Sequence, residues 1–227
     1  MAVMTLTRST IGKKVIMAVT GLLWVGFLAF HMYGNLKVFQ GAEYFNEYSE
    51  GLRHIGSPIF SAYHLLWVAR IGLLVSVVLH VWSAISLTRA ARMARPQQYA
   101  LKKNINADYA AVTIRYGGAA IFFFLLYHLA HFTWGVRAIH PDFIHGDAYH
   151  NLVIGFQNPL NVTLYLIALV AVGLHLYHGT WSMFQTLGFN NQKYDSSLRG
   201  LALALGLLIP LGFATAPLSV LFGFVTL

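Results

Sequence analysis

VIMAVTGLLWVGFLAFHMY, Val15 to Tyr33, decides the fold of this chain. The stretch has no Asp, Glu, Lys or Arg, and its one ionisable side chain, His31, comes near its end. Crossing about 30 Å of hydrocarbon takes roughly 20 apolar residues in a helix. Lipid offers peptide groups no hydrogen-bond partner, so such a stretch must satisfy its own backbone by coiling. It predicts a membrane-spanning helix. Arg8, Lys13 and Lys14 precede it and no small-residue cleavage site is evident, so a retained helix is expected rather than a removed signal peptide.

Four more stretches pass the same test, at about Ile59–Leu87, Ala110–Trp134, Leu160–Leu187 and Leu198–Thr226. The expectation is one all-α domain over residues 1–227, a bundle of five transmembrane helices. Composition agrees: the chain is 57% hydrophobic and 10% charged, where a soluble domain carries about a quarter charged residues. Tyr63, Trp67, Trp134 and Tyr165 fall near span ends, where aromatic side chains suit the membrane interface. The outer loops, Gly34–Pro58 and Arg137–Pro159, mix charged and apolar residues in a way that suits short helices at the surface.

Basic residues set the orientation. Arg8, Lys13, Lys14, Arg89, Arg92, Arg95, Lys102, Lys103, Lys193 and Arg199 all fall on one side. The other side has Lys37, Arg53 and Arg137, while Arg70 and Arg115 lie within spans. The N-terminus is therefore expected in the cytoplasm and the C-terminus outside, in a multi-pass protein of the cell membrane. The net charge of +8 is read as this topological signal and not as a nucleic-acid surface. Cysteine is absent, which excludes disulfides, thiolate zinc sites, cysteine-held iron–sulfur clusters and covalent haem attachment.

An ionisable side chain within lipid is expensive and marks function. His31, His80, His128 and His175 stand one each in the first four spans, separated by 49, 48 and 47 residues. Spans one and three run outward, and His31 and His128 come late in them. Spans two and four run inward, with His80 nine residues before Arg89 and His175 about a dozen before the turn expected at Gly188. At about 1.5 Å rise per residue, depth alone gives an outer pair, His31 with His128, and an inner pair, His80 with His175. Two histidines facing each other across a bundle can hold a haem iron from both sides. A single membrane histidine more often bonds a carbonyl or a neighbouring helix, but four at two matched depths fit that reading poorly. Gly117, Gly72 and Gly173 offer small residues near the right faces. His131, His178 and His64 compete as ligands, and spacing does not choose between His128 and His131.

Several segments carry a family resemblance. They are Phe27-Leu-Ala-Phe-His31 followed by Asn35, Gly41-Ala-Glu-Tyr-Phe-Asn46, His80-Val-Trp-Ser-Ala, Arg115 thirteen residues before His128, and His175-Leu-Tyr-His-Gly-Thr-Trp-Ser-Met183. In order and spacing, over nearly the whole chain, they resemble the five-helix, two-haem cytochrome b anchor of succinate:quinone oxidoreductases, the succinate dehydrogenases and fumarate reductases. The resemblance implies two b-type haems. His31 and His128 would ligate the one distal from the cytoplasmic subunits, and His80 and His175 the proximal one. Arg115 would lie near a haem propionate, although an interfacial arginine reaching for the surface is the plainer reading.

The resemblance also implies an FAD-containing flavoprotein and an iron–sulfur protein as cytoplasmic partners. Membrane quinone, menaquinone or ubiquinone, would be the electron partner in the lipid. The chain shows no dicarboxylate or flavin site of its own, so its part would be electron transfer and quinone reaction. A quinone needs a lipid-accessible cleft with hydrogen-bond donors. On the inner side Ser9 and Lys13 match residues used elsewhere in the broader family; on the outer side His131, Trp134 and Tyr33 come near the distal pair.

Other readings stay open. A di-haem anchor of hydrogenase or formate dehydrogenase type would commonly arrange its ligands differently. A histidine-lined proton channel or transporter would call for repeats or broken helices at the midplane, whereas span five, with Pro210 in its core, has no histidine. The outer-loop group His140, Asp142, His145, Asp147 and His150 has spacing that could bind a metal, but interfacial His and Asp are usually just solvated.

Overall fold

The computed structural model describes residues 6–94 and 109–227. Arg95, Lys102 and Lys103 of the expected basic side fall outside the described residues. The described chain is all-helical: α1 (Thr10–Leu36), α2 (Ala42–Gly51), α3 (His64–Met93), α4 (Tyr109–Phe132), α5 (Ala148–Gln157), α6 (Pro159–Thr186) and α7 (Asp195–Leu221). Five of these, α1, α3, α4, α6 and α7, are long and apolar enough to cross a membrane. The short helices α2 and α5 stand in the two loops where surface helices are expected.

Local chemistry fixes the helix ends. Ser9 caps α1, its Oγ accepting from Gly12 N at 3.0 Å. Asp147 caps α5 by accepting from His150 N at 2.9 Å. Asn158 caps α6, accepting from Leu160 N at 2.9 Å, with Pro159 in the first turn where its missing N–H costs nothing. The second span begins at His64 rather than Ile59. Turns occupy the approach, Pro58 supplies no N–H, and Tyr63 holds a left-handed φ of 70° that no α-helix continues. The last span ends at Leu221 rather than Thr226, because Gly223 turns left-handed at φ 76° and Phe224 N donates back to Ser219 O at 2.8 Å.

Helix α6 is the hub, packed on α1, α4, α5 and α7. Its buried residues Asn161, Tyr165, Ala168, Val172, Leu176 and Thr180 recur at intervals of 3 or 4 along one face. The tightest crossing is with α7. Pro210 leaves the Gly206 carbonyl without its helical partner, and that carbonyl lies against α6. A Cβ built on Gly173 would stand 2.7 Å from Gly206 O. Gly173 therefore serves helix packing rather than space beside a histidine. The small-residue pair lets two backbones meet.

The end of the bundle carrying α2 and α5, here the outer end, is closed. Asn46 Nδ2 donates to Asp147 Oδ1, and Tyr149 N donates to Asn46 Oδ1, both at 2.9 Å. Tyr149 Oη donates to Thr226 O at 2.8 Å, tying in the C-terminal segment. Beneath lie Val38, Phe45, Leu152, Val153, Phe156 and Val220, all buried. Helix α5 is thus packed into the core and does not float at the surface. The bundle's flanks present Leu23, Phe30, Val68, Phe123, Ile167 and Leu208 outward, an apolar surface suited to lipid.

Candidate functional site: two histidine pairs at two depths

The four span histidines meet in twos. The His31 and His128 ring centres are 5.9 Å apart with planes at 78°, and those of His80 and His175 are 6.1 Å apart at 55°. His31 and His128 stand five and four residues before the outer ends of α1 and α4, while His80 and His175 lie deep within α3 and α6. The partner helices, α1 with α4 and α3 with α6, are not among the closely packed pairs of the bundle. Each imidazole pair therefore bridges a gap between helices.

That gap has a chemically meaningful width. A metal held by one nitrogen of each ring, at roughly 2 Å per bond and roughly 1 Å from nitrogen to ring centre, would put two imidazole centres about 6 Å apart. Both pairs stand at this spacing, so His31 with His128 and His80 with His175 are the residues that would hold a haem iron. On the two helices of the inner pair His175 Nδ1, Ser83 Oγ and Thr180 Oγ1 are buried with no hydrogen-bond partner, as are Trp24 Nε1 and His140 Nε2 elsewhere.

Glycines border the inner pair. A Cβ on Gly21 would lie 3.5 Å from His80 Cε1, and one on Gly118 would lie 3.6 Å from His175 Cε1. Gly21 and Gly118 each stand ten residues before the outer histidine of their own helix, His31 and His128. Helices α1 and α4 thus each give a ligand-type histidine to the outer level and a small residue to the inner one, roughly 15 Å away along the helix. Gly72 and Gly117, singled out from the sequence, face open space. The repeated ten-residue Gly-to-His interval is the signal that would have found the right glycines. A cleft of about 270 Å³ opens between α4 and α6 beside the inner level, lined by Thr113, Gly117, Ile167, Val170 and His175.

The two levels anchor their imidazoles differently. His80 Nδ1 stands 3.1 Å from Met17 O and 3.1 Å from Thr20 Oγ1, while Thr20 donates to Ile16 O at 2.7 Å. His128 Nδ1 stands 3.1 Å from Tyr165 Oη, which also lies 3.1 Å from His131 Nδ1. Tyr165, expected at the interface, is buried at 7% exposure because its ring packs among Phe124, Phe132 and Phe156. His131 is fully enclosed, with His140 against its ring and His140 Nδ1 3.1 Å from its carbonyl. Asn161 Nδ2 donates to Gly155 O at 2.8 Å, and Tyr127 Oη donates to Asn161 Oδ1 at 2.7 Å, which closes the polar cluster. Of His128 and His131, it is the His128 ring that lies against His31. His64 is exposed at the start of α3.

The remaining residues singled out from the sequence scatter more. Arg115 is exposed, one turn inward of Gly118 and so nearer the inner level. Ser9 is occupied as a helix cap, and Lys13 Nζ sits 5.7 Å over the Trp82 ring. Trp82 lines an open cleft of about 420 Å³ with Val78, Ile85, Arg89 and Phe122. On the outer side Tyr33 and Trp134 are exposed and His131 is sealed, and no hydrogen bond or ring contact joins the three. Among the described residues no group of three His, Cys, Asp or Glu side chains converges as a metal site. The outer-loop residues serve the fold instead: Asp147 caps α5, and His150 Nε2 reaches Asp142 O at 3.1 Å. The His150 amide, then the Asn46 side chain, hold the Asp147 carboxyl below its ordinary range. Compared with protein-family models, curated proteins and solved structures, the chain finds no match.

Proposed function

We propose that this chain is the membrane-anchor cytochrome b of a succinate:quinone oxidoreductase. In this reading His31 with His128 and His80 with His175 hold two b-type haems, one above the other through the membrane. The observation that carries it is the pair of imidazole spacings, 5.9 and 6.1 Å, bridging helices that are not among the closely packed pairs. When bound, a haem with two histidine ligands supplies one-electron transfer, its potential set by ligands, hydrogen bonds and burial.

The chain's own residues do the positioning. Met17 O accepts from the Nδ1 of His80, which leaves the opposite ring nitrogen for iron. Gly21 and Gly118 keep the inner level free of side chains. The closed outer end excludes water from the outer pair. On this reading the basic end faces the cytoplasm of a cell whose plasma membrane holds the protein, and it docks the iron–sulfur and FAD-containing subunits. Of the two candidate quinone regions, the inner one has an apolar cleft of about 420 Å³ beside the Lys13–Trp82 contact, a volume within the usual range for small-molecule sites. The outer region is sealed at His131.

A pyridine-haemochrome assay on the complex purified with its soluble partners tests the reading. Two haems per chain, both reduced on adding succinate, are expected. Fewer than two haems, or no reduction by succinate, would overturn it.

A further inference from the structure

Helices α3 and α4 are not among the closely packed pairs of the bundle, and the cleft of about 420 Å³ lies between them. One wall is a stripe on α3 of Val78, Trp82, Ile85 and Arg89, at intervals of 4, 3 and 4, and Phe122 of α4 stands across from it. From Val78 to Arg89 is eleven residues, roughly 16 Å of helix. Half of a hydrocarbon core of about 30 Å is about 15 Å, so the stripe is one leaflet long. It ends on a guanidinium, at the end of the bundle opposite the α2–α5 lid.

Charge distinguishes this cleft from the rest of the apolar flank. Arg89 is exposed, and among the described residues no carboxylate pairs with it. The one carboxylate described at that end, Asp195, is already taken by Arg199, Asn190 and Trp181. A second cation, Lys13 Nζ, stands 5.7 Å over the Trp82 ring and also lacks a carboxylate among the described residues. An apolar trough therefore runs up to uncompensated positive charge. Basic pockets between spans recruit anionic lipid headgroups.

We propose that the α3–α4 cleft seats one acyl chain of an anionic phospholipid, with the lipid phosphate on Arg89. The chain lies along Val78, Trp82 and Ile85 against Phe122, all of them otherwise exposed. The phosphate accepts from the guanidinium in a charge-assisted bond, and Lys13 adds attraction for a headgroup of net negative charge. A cleft on the flank of a membrane-spanning bundle opens directly to lipid, so this occupant needs no delivery. The inference goes beyond the electron-transfer reading and does not rest on it. A quinone head is uncharged and answers neither cation; a quinone reaching the Lys13–Trp82 contact would have to displace the lipid.

The test is native mass spectrometry of the purified protein with whatever subunits accompany it, delipidated and then titrated in detergent with phosphatidylglycerol or with phosphatidylcholine of the same chains. The wild type should bind phosphatidylglycerol in preference to phosphatidylcholine. Arg89→Gln should weaken phosphatidylglycerol about 10-fold, the loss of one charge-assisted bond, and leave phosphatidylcholine unchanged. Arg92→Gln is the control: it removes an exposed cation of the same helix end that does not line the cleft, and it should change neither lipid. Ile85→Trp, which fills the trough and keeps every charge, should weaken both lipids. Equal binding of the two lipids by the wild type would overturn the inference. So would equal losses in Arg89→Gln and Arg92→Gln, which would reduce the effect to general surface charge, or recovery of quinone in place of phospholipid. Haem content plays no part in this readout, so a failure of the two-haem reading would be a separate result.

Discussion

The two histidine levels are alike in spacing and unlike in surroundings. The outer pair lies under a lid of short helices, its imidazole wired through Tyr165 to His131. The inner pair is bordered by glycines, an open cleft and unsatisfied polar atoms. The inner level is the more open of the two. Both levels reach about 6 Å between ring centres, so that distance does not depend on how tightly the surroundings close.

The largest effects should separate the levels. His175→Ala or His80→Ala is expected to abolish the inner haem and spare the outer, and His31→Ala or His128→Ala to do the reverse. Dithionite-reduced difference spectra of the purified variants check this. Removal of a haem by His131→Ala, with His128→Ala retaining both, would reverse the ligand assignment. A graded version probes the inner opening. Gly21→Ala places a Cβ at an ordinary 3.5 Å from His80 and should keep the inner haem, while Gly21→Leu should displace it.

Stability changes come next. Gly173→Ala would force a Cβ to within 2.7 Å of the Gly206 carbonyl, backbone against backbone, with an expected loss of about 1–3 kcal/mol. Thermal unfolding in detergent should show it, with both haem spectra native until the transition. Asn46→Ala removes two bonds across the outer lid and should cost about 1–3 kcal/mol, exposing the outer site to water before the inner one. Loss of the inner haem first would contradict the contrast between the levels.

The smallest effect is at Asp147. Asp147→Ala deletes a helix cap and one of the two Asn46 bonds, at about 1–2 kcal/mol. Because His150 N and Asn46 hold this carboxyl below its ordinary range, its contribution is full above the unfolded Asp value, near pH 4. It is lost as pH falls through the lower folded value. The stability gap between wild type and Asp147→Ala should therefore be flat near neutral pH and narrow in acid. A gap that widens in acid would refute the assignment.

Much of this architecture was legible in the sequence because lipid makes few demands and makes them strictly. Span length, helicity and the depths of His31, His80, His128 and His175 follow from hydrocarbon thickness and helical rise. What the sequence hid was tertiary. Tyr165 reads as an interfacial aromatic until α4 supplies the phenylalanines that bury it. Gly173 reads as space beside His175, but Pro210 frees a carbonyl on α7 that claims it. The Asn46–Asp147 tie joins residues about a hundred positions apart and leaves no local trace. The burial of His131, at a depth shared with the exposed Tyr33 and Trp134, was hidden for the same reason.

The measurement that bears most directly on the account is an experimental density map of the complex purified from membranes. The account predicts a porphyrin between His31 and His128 and a second between His80 and His175, each iron bound by both rings. Imidazoles turned toward lipid, or side chains filling the space between them, would contradict it.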